Sequence, residues 1–251
     1  MAASSPTGPA PTTTTSTGIS MYCTPSCTEY SKCTQYNEDM SIPSDLRSRK
    51  RLATRQGISN AATRLFLARG FDKVTVDEIA AAADVGRMTV FNHFPRKEDM
   101  FFDRDEEVRE VLRDALRQRE PGVSPIEALR LLAHRLVDDG SPYVEFSADS
   151  QGFIETIEGS DTLKARARAI RDEIAQVVTE ALAEGAAREP GDPAAHLAAS
   201  LLLATWTAAL IQAHRSFRDR QDAEAAKALF LALVDKGTLG LNAAMVGTPY
   251  A

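Results

Sequence analysis

"DVGRMTVFNHFPRKEDMF", residues 84–101, decides how the whole chain is read. Phe91 and Phe94 share about three helical turns with Arg87, Asn92, His93 and Lys97, and Pro95 interrupts them. So much polarity is foreign to a core helix, and so many rings are foreign to a solvated one. The question is which kind of surface needs both.

The flanking pattern supplies the setting. In "TVDE", Thr75 to Glu78, a hydroxyl three residues before a glutamate predicts a capping box and a helix start. "VDEIAAAA" then reads as a short helix, "DVG" as a break, and "RMTVFNH" as a second short helix that Pro95 ends by forcing Phe94 out of the α region. Two short helices joined by a tight turn, with a basic helix in front, are the layout of a helix-turn-helix. Ala80 is small where the two must approach. Asp84 falls at the turn and tolerates a left-handed backbone. Val90 points back toward Ile79 and Val85. The remaining faces carry Arg87, Met88, Thr89, Phe91, Asn92 and His93, with Gly86 at the helix start. Arginine pairs with guanine, asparagine with adenine, and apolar side chains meet the thymine methyl in a major groove.

Ile58, Ala61, Ala62, Leu65 and Phe66 form a helical stripe ahead of this unit, and "RGF" at 69–71 predicts a Schellman stop at Gly70. Lys97 falls in the first turn of a helix predicted from there to about Arg119, where the dipole disfavours a cation; a docked phosphate would relieve this. Thr75 is placed for a similar phosphate contact. Arg49, Lys50 and Arg51 could follow a backbone or enter a minor groove.

The chain has 251 residues, 43% hydrophobic and 25% charged, with a net charge of −6. A nucleic-acid partner therefore needs a local basic patch. The segment 47–73 supplies one: Arg47, Arg49, Lys50, Arg51, Arg55, Arg64, Arg69 and Lys73 against one acid, Asp72. No signal peptide is evident. The uncharged run "LAASLLLATWTAALIQA", 197–213, is shorter than the roughly 20 residues of a spanning helix and reads as a buried helix. A soluble cytoplasmic protein with no membrane partner is expected.

Residues 1–44 are rich in Thr, Ser and Pro and read as a disordered tail, with Met21 and Met40 as alternative starts. Cys23, Cys27 and Cys33 fall here. Their C-x3-C-x5-C spacing matches no strong metal pattern, yet leaves a redox or iron–sulfur sensor as an alternative. Residues 45–96 are read as the helix-turn-helix domain, 97–241 as a helical ligand-binding and dimerisation domain, and 242–251 as a C-terminal tail. Further helices are expected over 125–139, 143–158, 161–187, 194–217 and 222–236, the last stopping at Gly237. No strand is predicted, so the fold class is all-α. No phosphate loop or nucleophile elbow supports a helical enzyme. Neither cofactor nor body metal site is expected.

The stretch "RQGISNAATRLFLARGFDKVTVDEIAAAADVGRMTVFNHFPRKEDMF", 55–101, resembles the DNA-binding domain of the tetracycline-repressor (TetR) family nearly end to end. The resemblance implies a homodimer that reads a palindromic operator in double-stranded DNA, probed by the 87–93 helix, with Lys97 and Thr75 on phosphates. It implies release by a small-molecule effector, of unknown identity, and repression as the default. Three positions depart from the family pattern: Gly86 replaces a Ser or Thr cap, Phe91 a Tyr, and Asp84 a common Gly. For the remaining helices the expected dimer face is Leu197, Leu201, Ala204, Ala208 and Ile211 with Leu229 and Leu233. His134, Tyr143, Glu155 and Trp206 are the expected pocket residues.

Overall fold

The computed structural model describes residues 46–251, and every regular element among them is helical. The disordered-tail reading and the three cysteines lie outside the described residues. The order is α1 (Leu46–Arg69), α2 (Val76–Ala82), α3 (Arg87–His93), α4 (Asp105–Arg117), α5 (Pro125–Asp138), α6 (Ala148–Glu158), α7 (Asp161–Gly185), α8 (Pro193–Arg220) and α9 (Ala223–Ala244). Short 3-10 turns precede α2, α4 and α6.

Local chemistry explains the boundaries. Thr75 and Glu78 form the expected reciprocal capping box, with Arg69 on the Glu78 carboxylate at 2.7 Å. The Thr75 amide first, then the Arg69 guanidinium and the Thr75 hydroxyl, hold the Glu78 carboxyl down to about 2. α2 ends in a full Schellman motif: Val85 N–H donates to the Ala80 carbonyl, Asp84 N–H to that of Ala81, and Asp84 takes φ 52°. At Gly70, where the Schellman stop was expected, φ is 82° but only the single bond to Phe66 O forms. Ser124 with Pro125, Ser160, Asp192 with Pro193, and Asp222 start α5, α7, α8 and α9 by side-chain caps.

Three expectations are corrected. The helix predicted from Lys97 to about Arg119 is broken: a turn at Glu98–Met100 intervenes and α4 begins at Asp105. Its first turn holds Asp105, Glu106 and Glu107, the charges the dipole favours there, so Lys97 is no cation at a long helix start. The last helix does not stop at Gly237 but runs on to Ala244. A Cβ at Gly237 would meet Thr205 Cγ2 at 2.2 Å, so this glycine serves close packing of α9 on α8 instead of termination. The segment expected as a C-terminal tail is packed: Met245 and Tyr250 are buried, and the Tyr250 hydroxyl donates to Asp192 at the start of α8.

Three apolar clusters hold the molecule. The first gathers Ile58, Phe66, Ile79 and Val90 of the first three helices with Phe71 and Phe94 from the turns that follow α1 and α3, and extends through Met100 and Phe101 to Leu163 of α7. The second joins α4, α5, α7 and α8, and the third joins α5, α8 and α9 around Phe230. Because the first cluster includes Leu163 and packs on Phe153 and Ile157 of α6, the amino-terminal unit rests directly on the helices behind it.

Candidate nucleic-acid interface

Val90 and Phe94 are fully buried, and they fix the azimuth of α3. The opposite face is open. Met88 is 71% exposed and Phe91 37%, Arg87 and Asn92 are exposed, and Thr89 and His93 are half-buried. A helix that leaves a methionine and a phenylalanine in water beside arginine and asparagine has the chemistry a groove floor offers. Gly86 stands at the N-cap with no side-chain bond, and a Cβ there would meet only Thr89 Oγ1 at 3.9 Å. The absent hydroxyl is thus a matter of chemistry, not of space.

Two arginines set the helix. Arg55 of α1 lies over the Phe94 ring at 4.0 Å and donates to the His93 carbonyl at 2.5 Å, capping the carboxyl end of α3. Arg87 donates to both Asp77 oxygens, at 3.1 and 2.9 Å, and lies 5.5 Å from the Phe91 ring. Asp77 was not foreseen from sequence; its place two residues after the cap, on the α2 face toward α3, is the signal that could have found it. Burial first, then Arg51 and Arg55, lowers the His93 pKa.

Arg49, Lys50 and Arg51 are exposed on the first turns of α1, so this basic run is helical where described. The Thr75 hydroxyl is engaged in its capping box. The Lys97 ammonium donates to the Phe71 carbonyl at 2.6 Å and lies 4.1 Å from the Phe71 ring, and burial lowers its pKa. Lys97 is therefore drawn against the domain interior, whereas Thr75 is exposed with its hydroxyl bonded to Glu78.

Behind this unit lie two adjoining cavities of about 320 and 270 Å³, which share Val108, Tyr143, Ile170, Ile174 and Leu210 as walls. Tyr143 and Trp206 reach them as expected from sequence. His134 and Glu155 do not: the His134 imidazole is drawn to Asp235 of α9 at 2.8 Å, and Glu155 is exposed on the outer face of α6, accepting from Gln151. In their place the walls carry Gln151, Phe153 and His214. Trp206, Leu210 and His214 follow at four-residue spacing, so one face of α8 announces this wall.

Leu197, Leu201, Ala204, Ala208 and Ile211 form one exposed stripe on α8. This helix is long and apolar enough to cross a membrane, yet only 28% of its most apolar window is buried in a single chain, so the buried-helix expectation holds for one face alone. Leu229 and Leu233 are half-buried, and Leu233 packs on the third cluster; the outward apolar residue of α9 is Leu239, 72% exposed.

Two short helices joined by a tight turn and packed on a larger set of helices have the layout of a helix-turn-helix module. The family model described as "Bacterial regulatory proteins, tetR family" matches residues 58–103. Over 84 residues the chain is 37% identical to the HTH-type transcriptional regulator TcmR of Streptomyces glaucescens; the match spans 34% of this chain and 37% of that one, about a third of each. In fold it is similar to a TetR-family transcriptional regulator of Mesorhizobium loti MAFF303099, at 19% identity, with TM-score 0.51 over 78% of this chain and 98% of that one. It is similar also to NalD, the secondary repressor of the MexAB-OprM multidrug efflux pump in Pseudomonas aeruginosa, at 22% identity, with TM-score 0.50 over 75% of this chain and 96% of that one. Residues 58–103 are thus similar to the DNA-binding part of the bacterial tetR-family regulators, and the described residues share the fold of such regulators.

Proposed function

We propose that this chain is a cytoplasmic repressor that binds a palindromic operator as a homodimer and leaves it when a small molecule fills the cavities behind the reading unit. The observation that carries the reading is the exposed α3 face, with Arg87, Met88, Phe91 and Asn92 in water while Val90 and Phe94 anchor it. Arg87, Thr89, Asn92 and His93 meet base edges, Met88 and Phe91 meet thymine methyls, and Arg49, Lys50 and Arg51 lie along the phosphates. Gly86 lets the backbone come close. Lys97 gives one of its three donors to Phe71 O and keeps others for a phosphate, whereas the Thr75 hydroxyl proton is already given to Glu78. Arg87 has donors beyond those given to Asp77, so it can bridge Asp77 and a guanine.

Two copies joined through the α8 stripe and the outer face of α9 would present two reading helices to successive major grooves, about 34–36 Å apart. A ligand that prefers a different spacing of these helices lowers operator affinity by its preference between the two states. Support for coupling lies in the aromatic contacts that lead from the cavity wall to the reading unit. Phe153 stacks on Phe101 at 4.3 Å, Phe101 lies 6.0 Å from Phe66, and Phe66 lies 4.9 Å from Phe71.

Footprinting of the full chain on genomic DNA tests this. A two-fold symmetric site is expected, and Arg87→Ala or Asn92→Ala should each weaken binding to it by about ten- to a hundredfold. A site without symmetry, or undiminished binding by both variants, would overturn the reading.

A further inference from the structure

The walls of the two cavities restrict what can fill them. The larger is bounded by the parallel pair Phe101 and Phe153, with Phe102 edge-on to both at 5.3 and 6.1 Å, and by aliphatic residues of α7 and α8. The smaller has Trp206 in its wall, edge-on to Phe230. Faces and edges of rings so arranged favour another ring.

Charge is balanced at this lining. Arg104, Arg215 and Arg218 in the larger cavity's wall are matched in number by Asp105, Glu145 and Glu158, and Arg171 in the smaller cavity's wall is paired with Asp172 at 2.9 Å. Arg104 is held by Glu107 at 2.5 Å, Asp105 by Arg109 at 3.0 Å, and Arg218 reaches Glu158 at 3.9 Å; Arg215 is exposed to solvent. An ion entering here would leave water for a wall whose cations and carboxylates cancel, at an uncompensated desolvation cost. Burial also holds His214 down to about 4, so its ring is neutral at neutral pH.

Hydrogen-bonding capacity remains open. Gln151 Oε1, Trp206 Nε1 and His214 Nδ1 are sealed from water with no hydrogen-bond partner among the described residues. All three side chains line the cavities. The Gln151 amide nitrogen already donates to Glu155 at 3.1 Å, so the carboxamide has an acceptor left to satisfy. The indole N–H can only donate. Orphaned polar atoms are rare inside proteins; Gln151 and His214 beside the larger cavity and Trp206 beside the adjoining smaller one call for a partner that spans both and supplies a donor and an acceptor.

We infer that these cavities take a flat, uncharged aromatic compound carrying a hydroxyl and a carbonyl, the hydroxyl donating to Gln151 and the carbonyl accepting from Trp206. This rests on the cavities being the effector site of the regulator proposed above. Trp206 is the only tryptophan of the chain, so its fluorescence reports occupancy directly. Titration of the full chain with 2-hydroxy-9-fluorenone, fluorene and fluorene-2-carboxylate is the experiment, with thermal melts of each variant as the check on folding. Saturable quenching by 2-hydroxy-9-fluorenone at least tenfold tighter than by the other two is expected. Gln151→Leu should weaken it about tenfold while leaving fluorene unchanged, as loss of one hydrogen bond implies. Tightest binding by the carboxylate, or no saturable quenching by any probe, overturns the assignment, and this comparison needs no variant. Operator binding is measured on the same samples. Operator binding without quenching sinks the ligand class alone; quenching without operator binding sinks the regulatory reading and leaves the cavity chemistry supported.

Discussion

Single atoms set the tightest constraints in this chain. The missing Cβ of Gly237 lets α9 lie against Thr205, with no room for a methyl group between them. Gly237→Ala is expected to destabilise by about 1–3 kcal/mol despite alanine's better helix propensity, and Thr205→Ala should recover part of the loss. Chemical denaturation of the two single variants and the double variant measures this. His214 acts through its proton. Its ordinary value of 6.5 is depressed to about 4 by burial, so the fold prefers the neutral ring. The stability this gives is complete above about pH 6.5 and is lost as pH falls from there toward 4. Wild type should therefore lose more thermal stability between pH 7 and pH 4 than His214→Phe does, by on the order of a few degrees in a scanning melt.

At the scale of elements, α2 and α3 were fully legible. A capping box, a small residue, a turn-tolerant Asp and a proline each act within a few residues, so local chemistry alone determines both boundaries. The break before α4 was not legible, because Lys97 is drawn inward by the Phe71 carbonyl and ring, which are far away in sequence. On α8 the stripe expected as a dimer face is the one left exposed, although periodicity also allowed a wholly buried helix; the position of α7 and α9 decides which face is left over. Leu201→Glu with Ala208→Glu should convert the chain from dimer to monomer in sedimentation, with helical content unchanged. A dimer that survives both charges would exclude this face.

For the whole molecule, the proposed release by a ligand requires that the two units communicate. Arg166 of α7 pairs with Asp99 at 3.3 Å, ahead of α4, and with Glu173 at 2.7 Å, while Arg109 of α4 joins the same Glu173 at 2.6 Å. The arginines and Asp99 are mostly sequestered while Glu173 is 46% exposed, so the Arg166–Asp99 pair resists screening more than the pairs to Glu173 do. Arg166→Met is expected to leave effector binding within about threefold and to reduce the effector-induced loss of operator affinity several-fold, a coupling change of about 0.5–2 kcal/mol. Operator titrations with and without effector give both quantities. Unaltered coupling would assign the communication to the aromatic contacts alone.

By itself the sequence determined the all-helical class and the α2–turn–α3 unit, because capping, periodicity and turn chemistry operate over spans shorter than one helix. Tyr143 and Trp206 could be named as pocket residues on the same footing as His134 and Glu155; which pair meets the cavity depends on helix rotation against distant neighbours. Only the tertiary structure brought Asp77 to Arg87, His214 and Gln151 to one space, Gly237 to Thr205 and Arg166 to Asp99. Those pairings join residues from different elements, and they are fixed by packing of whole helices, which no local pattern encodes.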